Sequence, residues 1–461
     1  MSAVIAGPPP ASSGAPATPL ATGDAARVVA FDGERTVPLA TFIGHVHALA
    51  ATLPRRPFAL NLCEDRYRFL VAFCAVAIRG QTTLLPPSRT RAAIDDVRAL
   101  HPDSYCIGDG GPCGCDALAP LPHYVQVPAV LPSLPGGMPR LDDDALVAIG
   151  FTSGSTGTPT ANRKTWGSFR RSTAQNVAAL FDLWPTGATP HIVATVPPQH
   201  MYGMEMSVLM PLLGGAAVHG MRPFFPGDIA RALHEVPAHR LLVTTPVHLR
   251  TLVESGVVLP ALDGIVTATA PLAQPLAAAA EDRFGCEVRE LFGSTETCIF
   301  ALRRTARDEA WTPLPGVCLQ PQPDGTLVLA PHLPAPVALA DVFENEADGR
   351  FRLRGRQADL LEIAGKRASL ADLGRRLLAI DGVEDGVVFQ LDEPDALGLR
   401  RLAALVVAPS LSSADVTAAL RASIDPVFLP RPLRKVDALP RNETGKLPRA
   451  ALLRLLNGRS S

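Results

Sequence analysis

Five short runs of apolar and β-branched residues constrain this chain more than anything else in it. Leu146–Phe151, His191–Val196, Arg240–Thr245, Gly264–Thr269 and Cys286–Phe292 each lead into Gly, Pro or Ser, and longer helical patterns such as Pro271–Phe284 lie between some of them. Short runs rich in apolar and β-branched residues, closed by turn residues, read as buried strands. Their alternation with helices predicts an α/β domain, whose ligands gather at the carboxyl ends of the strands.

A second unit is expected after about Arg356, where the pattern changes. Ser369 followed by Asp372 reads as a helix cap, and Leu370, Leu373, Leu377 and Ile380 then share one helical face. Two strand candidates follow, Gly386–Leu391 and Leu402–Ala408, and Ser412 with Asp415 caps another helix. The expected division is a leader over 1–25, disordered because it is rich in Pro, Ala, Ser and Gly; a large amino-terminal domain over 26–355; and a small α+β carboxyl-terminal domain over 356–461. A chain of 461 residues exceeds one ordinary core, which agrees with that division.

Composition removes several classes of function. A net charge of −1 gives no basic excess for nucleic acid or an anionic membrane surface. No apolar run has the length of a membrane span, and the amino terminus lacks the basic and apolar regions of a signal peptide. The eight cysteines fit reduced thiols in a cytoplasmic protein. Cys106, Cys113 and Cys115 cluster near His101 and His123, but their spacing matches no paired zinc pattern.

Four segments carry chemistry. The first, Phe151-Thr152-Ser153-Gly154-Ser155-Thr156-Gly157-Thr158-Pro159-Thr160, follows an apolar strand; its hydroxyls and backbone N–H groups can converge on phosphate oxygens, although it lacks the Walker pattern, which excludes a P-loop kinase. The second, Leu291-Phe292-Gly293-Ser294-Thr295-Glu296-Thr297, sets a carboxylate beside hydroxyls, a set suited to a nucleotide phosphate with Mg²⁺. The third runs from Asp341 through Gly355-Arg356 and Asp359 to Gly365-Lys366-Arg367, with a carboxylate suited to ribose hydroxyls and arginines suited to phosphate. The fourth, Leu439 to Arg449, presents Lys446 on a Thr-Gly turn between two prolines. Each alone also reads as an ordinary solvated loop. Lysine usage sharpens the reading: of 43 basic residues only Lys164, Lys366, Lys435 and Lys446 are lysine, so a compact ammonium is kept for a few places, three of them in or beside these segments.

Taken together, in this order and spacing, the four segments resemble the adenylate-forming superfamily of acyl-CoA synthetases, aryl-CoA ligases and nonribosomal adenylation domains, over roughly Val28 to Leu456. The resemblance implies a large multi-sheet amino-terminal domain with a small mobile domain behind it. It implies that an acid attacks the α-phosphorus of ATP to form acyl-AMP, and that the acyl group then passes to a phosphopantetheine thiol. Lys446 would bridge the acid and the α-phosphate, Glu296 would hold Mg²⁺, and Thr295 would touch the α-phosphate, with Ser294 beside them. Thr152, Ser153, Gly154, Ser155, Thr156 and Gly157 would cradle the outer phosphates. Asp341 and Arg356 would hold the ribose, Arg367 a phosphate, and Gly365 would line the thiol passage.

Two positions depart from the family pattern. Thr160 stands where the phosphate loop usually ends in lysine, and Lys164 is the candidate substitute; Ala358, followed by Asp359, stands at the usual hinge position. For the acid pocket the resemblance offers His200, either a contact or a structural histidine, with Tyr202, Gly203, Thr245, Ala268, Ala270 and Gly293. Small residues there leave room for a flat ring. Asn61 to Arg66, Arg79 to Pro86 and Arg163 to Trp166 look like short bacterial synthetases of aryl polyene and xanthomonadin-type pigment clusters, whose members load an aromatic acid onto an acyl carrier protein. Free coenzyme A is the alternative acceptor, and a protein that binds nucleotide or acyl-adenylate without turnover is a further alternative.

Overall fold

The computed structural model describes residues 17–33, 35–110, 121, 123–152, 159–322, 325–356, 360–363, 366–394, 400–442 and 445–458. It divides into two compact units. The first comprises Met1–Arg307, Leu314–Gly316 and Ala330–Pro334; the second comprises Asp308–Pro313, Val317–Leu329 and Ala335–Ser461.

The apolar runs are strands, each within a few residues of its expected bounds. In the first unit, His191–Ala194, Arg240–Thr244, Gly264–Thr267 and the start of Glu287–Ser294 run parallel side by side, in the register Leu241↔Gly264↔Glu287. Cys298–Arg303 turns back antiparallel on the last of these, while Ala217–His219 and Val28–Asp32 extend the other side in parallel. The helical stretch after Pro271 is Gln274–Phe284, which begins with Pro275 in its first turn and ends on Gly285 in the left-handed conformation. A second sheet runs in the order Thr160–Thr165, Leu146–Thr152, Thr82–Leu85, Phe58–Asn61, Ser104–Gly108, Tyr124–Gln126. All its neighbours are parallel except the first pair.

Arg66 ties a helix to the main sheet. Asp65 caps the helix Arg66–Ile78, and the fully buried Arg66 side chain donates to the carbonyls of Ala194 and Val196 at 2.8 and 2.9 Å. Two carbonyls beyond the reach of water at a strand end thereby gain a charge-assisted partner.

The expected leader includes residues that are built into the fold. Residues 1–16 lie outside the described part, but Thr18–Pro19 pairs antiparallel with Arg140–Leu141, and Leu20 is fully buried in the main core. Burying one leucine contributes about 2 kcal/mol, enough to tie down a short segment that composition alone reads as unstructured.

In the second unit, Asp385–Pro394 and Arg400–Val407 form the hairpin expected near Gly386–Leu391 and Leu402–Ala408, with Leu433–Lys435 alongside in parallel. Both faces of the Arg400–Val407 strand are buried. Leu402, Ala404 and Val406 meet Leu373 and Leu377 of the helix Leu370–Leu378 and Val416 and Leu420 of the helix Ser413–Ser423. Ala403, Leu405 and Val407 meet Leu439 and Leu452. Leu370 and Ile380 pack at the rim of the first cluster, so the four-residue face holds. The Ser412–Asp415 capping box is present in both directions. The Ser369 side chain lies outside the described part.

Candidate active site

Two hairpins of the first unit meet where the sequence places its first two segments. Leu146–Thr152 is returned by Thr160–Thr165, with Thr152 opposite Thr160, so the glycine and hydroxyl loop is the tip of a hairpin held at both ends. Ser153, Gly154, Ser155, Thr156 and Gly157 in that tip lie outside the described residues. In the second hairpin, Ser294 lies opposite Cys298, and Thr295, Glu296 and Thr297 make the turn. A Cβ on Gly293 would stand 2.3 Å from the Cys298 carbonyl, so only glycine fits this close return of the chain. Cys298 itself takes φ +57°, a conformation uncommon for a residue with a side chain.

The two turns grip one another. The Thr152 hydroxyl donates to Glu296 Oε1 at 3.2 Å, and Lys164 Nζ donates to the Glu296 carbonyl at 2.9 Å. Gly150 leaves the space that Thr295 fills, since a Cβ there would be 2.7 Å from Thr295 Cγ2. Ser294 N–H donates to Thr297 Oγ1 at 3.1 Å, closing the turn on itself.

Beside these turns runs the helix Met201–Met204, continued by an i→i+5 turn over Glu205–Leu209. Such turns mark functional sites more often than ordinary helix does. Gly203 admits the chain after Pro197, whose carbonyl would lie 2.0 Å from a Cβ there. His200 precedes the helix in extended conformation and is half-buried. The Tyr202 hydroxyl is buried and donates to the Val266 carbonyl at 2.9 Å, so its polar end already has a partner; burial pushes its ionisation up. Thr245 caps the helix Pro246–Glu254 through its hydroxyl. Ala268 is buried and Ala270 half-buried, on either side of Thr269, a β-branched residue at φ +82°.

Residues 67–328 match the AMP-binding enzyme family. The chain belongs to that family. Among its curated relatives is a 4-coumarate–CoA ligase of Rhodobacter capsulatus, 31% identical over 312 residues, which span 65% of this chain and 74% of the relative. A 3-hydroxybenzoate–CoA/4-hydroxybenzoate–CoA ligase of Thauera aromatica is 26% identical over 53% of this chain and 55% of its own. Among solved structures, o-succinylbenzoate CoA synthetase of Bacillus subtilis in complex with its acyl-adenylate intermediate has the same fold, with a TM-score of 0.76 at 17% identity over 92% of this chain and 95% of that one.

The AMP-binding enzyme has a buried polar layer under its Glu296 turn that the sequence did not disclose. Glu205, fully buried, accepts from the Ser172 hydroxyl at 2.6 Å, the Asn176 amide at 3.1 Å and the Ile299 N–H at 3.0 Å. Burial raises its carboxyl above the ordinary range, and these donors oppose the rise. His332 Nε2 donates to the Thr297 carbonyl at 2.7 Å, and Nδ1 faces the Gln175 side-chain amide. Burial brings that imidazole down to about 4. Neither Glu205 nor His332 sits in a recognisable motif; an acidic residue inside an apolar helix was the only available signal.

The second unit of the enzyme holds the remaining candidates. Asp341 and Arg356 are cross-strand partners at the open end of the hairpin Asp341–Asn345/Phe351–Arg356, so the third segment brings its carboxylate and arginine positions together. Arg367 lies in Lys366–Ser369, opposite Glu362; the side chains of Arg356 and Arg367 lie outside the described part, as do Ala358, Asp359 and Gly365 altogether. Lys446 is exposed on a tight turn in which its N–H donates to Asn442 Oδ1 at 2.8 Å and Asn442 N–H donates to its carbonyl at 2.9 Å. Arg441 braces the turn, donating to the Gly445 carbonyl at 2.9 Å and pairing with both oxygens of Asp385. Sequence reasoning named Lys446 as a candidate and did not single out Arg441, Asn442 or Asp385, which shape its turn.

The cysteine cluster has no metal-site character among the described residues. Cys106 is a free, buried thiol packed among apolar side chains, His101 packs on the rings of Phe58 and Phe151, and Cys113 and Cys115 lie outside the described part. None of the described helices is long and apolar enough to cross a membrane.

Proposed function

We propose that this enzyme joins a carboxylic acid, aromatic by preference, to AMP and then transfers the acyl group to a phosphopantetheine thiol. The observation that carries the reading is the grip on Glu296: one turn held by Thr152 and Lys164 against the hairpin whose tip is the hydroxyl-rich loop. Relatives named for hydroxybenzoate and coumarate support an aromatic acid.

A carboxylate oxygen attacks the α-phosphorus of ATP; that P–O bond forms as the bond to the β-phosphate oxygen breaks, and pyrophosphate leaves. A pantetheine thiolate then adds to the acyl carbon and AMP departs. Negative charge builds around phosphorus in the first step, so prepositioned cations and N–H groups lower its barrier most. In this reading Lys446 bridges the acid and the α-phosphate, Thr295 contacts the α-phosphate, and Asp341 with Arg356 holds the ribose. Arg367 and residues 152–157 take the other phosphates. The half-buried Glu296 carboxylate, with one oxygen receiving the Thr152 hydroxyl, fits a Mg²⁺ that keeps most of its ligands as phosphate and water. When bound, that ion neutralises phosphate charge. His200, Ala268 and Ala270 wall the acid pocket; Tyr202, Gly203, Thr245 and Gly293 shape it from behind.

We assign the mobile part of the second unit to residues from about 356 onward, with Ala358 and Asp359 as hinge and Gly365 on the thiol passage. Relatives named as CoA ligases favour coenzyme A as the acceptor and give the carrier-protein reading no support. The described cysteines are all free, which favours a cytoplasmic setting.

The test is ATP–pyrophosphate exchange across benzoic, cinnamic and fatty acids, followed by thioester formation with coenzyme A or with a phosphopantetheinylated carrier protein. Exchange with an aromatic acid and a thioester on coenzyme A are the expected results. Exchange with fatty acids alone would overturn the aromatic preference, and exchange with none would overturn acid activation.

A further inference from the structure

The sequence offers Lys164 as a substitute for the lysine missing at Thr160. The structure gives its ammonium other work. Lys164 lies on the Thr160–Thr165 strand opposite Ala148, is 3% exposed, and directs Nζ to the carbonyl of Glu296 at 2.9 Å. Its charge is felt by three other buried groups, Glu205, Cys298 and His332. Burying an ammonium costs several kcal/mol, and an apolar residue of similar volume would often serve stability as well or better. The ammonium therefore calls for a reason beyond packing.

That reason lies in what the neighbouring groups hold. The carbonyl of Glu296 is held by Lys164, the carbonyl of Thr297 by His332 at 2.7 Å, and the N–H of Ile299 by Glu205 at 3.0 Å. Three buried ionisable side chains, from a strand, a loop and an i→i+5 turn, thus fix the backbone of the Glu296 turn and of the strand that leaves it. The Glu296 side chain leaves that turn half-buried, with Oε1 receiving the Thr152 hydroxyl. Fixing both the backbone and one carboxylate oxygen of the same residue sets the direction of the other oxygen.

We infer that Lys164 is a positioning residue, whose ammonium, acting through the Glu296 carbonyl, aims the Glu296 carboxylate at the Mg²⁺ that accompanies ATP. The inference rests on the proposed function for the presence of Mg·ATP at Glu296. Outer partners of metal-ligating groups typically change metal affinity by about 10- to 100-fold when removed. Lys164→Met keeps the length and removes the donor. Lys164→Arg keeps a cation on a fork that no longer meets the carbonyl squarely. Tyr105→Phe is the control, since it removes a buried hydrogen bond to Gln81 and touches none of the groups that hold the Glu296 turn.

The deciding measurement is calorimetric titration of ATP binding at a series of Mg²⁺ concentrations and in chelator, with thermal melting of each variant. The expected result is a Mg²⁺ requirement raised about tenfold or more in Lys164→Met and by less in Lys164→Arg, with ATP affinity in chelator unchanged. Tyr105→Phe should lower the melting temperature without moving the Mg²⁺ curve. A Mg²⁺ requirement equal to wild type in every Lys164 variant that folds would overturn the inference and leave a structural lysine. A loss of ATP affinity as large in chelator as in Mg²⁺ would overturn it in favour of direct phosphate contact. Wild-type enzyme that binds Mg·ATP but exchanges with no acid would overturn the proposed acid activation, and the comparison of variants would still decide the role of the lysine.

Discussion

Glu205 and Ile299 lie 94 positions apart in the chain, yet both carboxylate oxygens of the first accept the backbone N–H of the second, at 3.2 and 3.0 Å. The contact joins the i→i+5 turn after the helix Met201–Met204 to the strand that leaves the Glu296 turn. A carboxylate so completely removed from water persists only because Ser172, Asn176 and Ile299 all donate to it.

Glu205→Ala should therefore be among the more destabilising substitutions, at about 3 kcal/mol or more, because it leaves several buried donors unpaired as well as a cavity. Glu205→Gln keeps one acceptor oxygen and should cost about 1–2 kcal/mol. Denaturant midpoints for the first unit check both. Equal stability of wild type and Glu205→Ala would mean that water or a shifted side chain replaces the carboxylate.

Lys446 predicts the opposite pattern. It is exposed, and Asn442 and the Arg441–Asp385 pair hold the backbone of its turn. Lys446→Ala should leave the melting temperature unchanged and lower ATP–pyrophosphate exchange by about 10²-fold or more. Arg441→Ala should lower exchange by a smaller factor, since it loosens the turn and keeps the ammonium.

His332 sets part of the pH dependence of stability. Burial holds its imidazole at about 4 in the folded chain, against 6.5 when exposed. Below about pH 6.5 the unfolded state takes up a proton that the folded state resists. The stability associated with neutral His332 is thus complete above pH 6.5 and declines as the pH falls toward 4. The melting temperature of wild type should drop more between pH 7.5 and 5 than that of His332→Gln, which removes this titration. His248, also brought down to about 4 by burial, contributes in the same direction and keeps the variant from being flat.

Thr269 stores backbone strain in the turn between the walls assigned to Ala268 and Ala270. A β-branched residue at φ +82° costs about 1–3 kcal/mol relative to a relaxed backbone. Thr269→Gly recovers that cost, less about 1 kcal/mol for the freer unfolded chain. Its melting temperature should equal or exceed that of wild type, while exchange falls severalfold because the turn loses its single shape. Thermal melting beside an exchange assay reads both effects, and a variant less stable than wild type would show that the threonine side chain outweighs the strain.

Much of this protein was legible from local pattern. The apolar runs specified the parallel strands, because a strand covered on both faces must be apolar along its length. Ser412 with Asp415 specified a helix start, because both bonds of a capping box lie within four residues. The order of the four segments disclosed the family. What local pattern left undecided is every relationship made across the chain. Leu20 is apolar among residues typical of a leader, and only a core supplied by distant elements gives it somewhere to go. Lys164 reads as a phosphate lysine from its place after the loop, but strand alternation and the return of the second hairpin put the Glu296 carbonyl in front of it, 132 residues away. Glu205 and His332 gain their meaning only from a buried turn whose carbonyls and N–H groups have no water to satisfy them. The sequence determined which elements form and which family they belong to; the tertiary fold decided which backbone groups each buried charge meets, because desolvation compels it to find partners that lie far off in the chain.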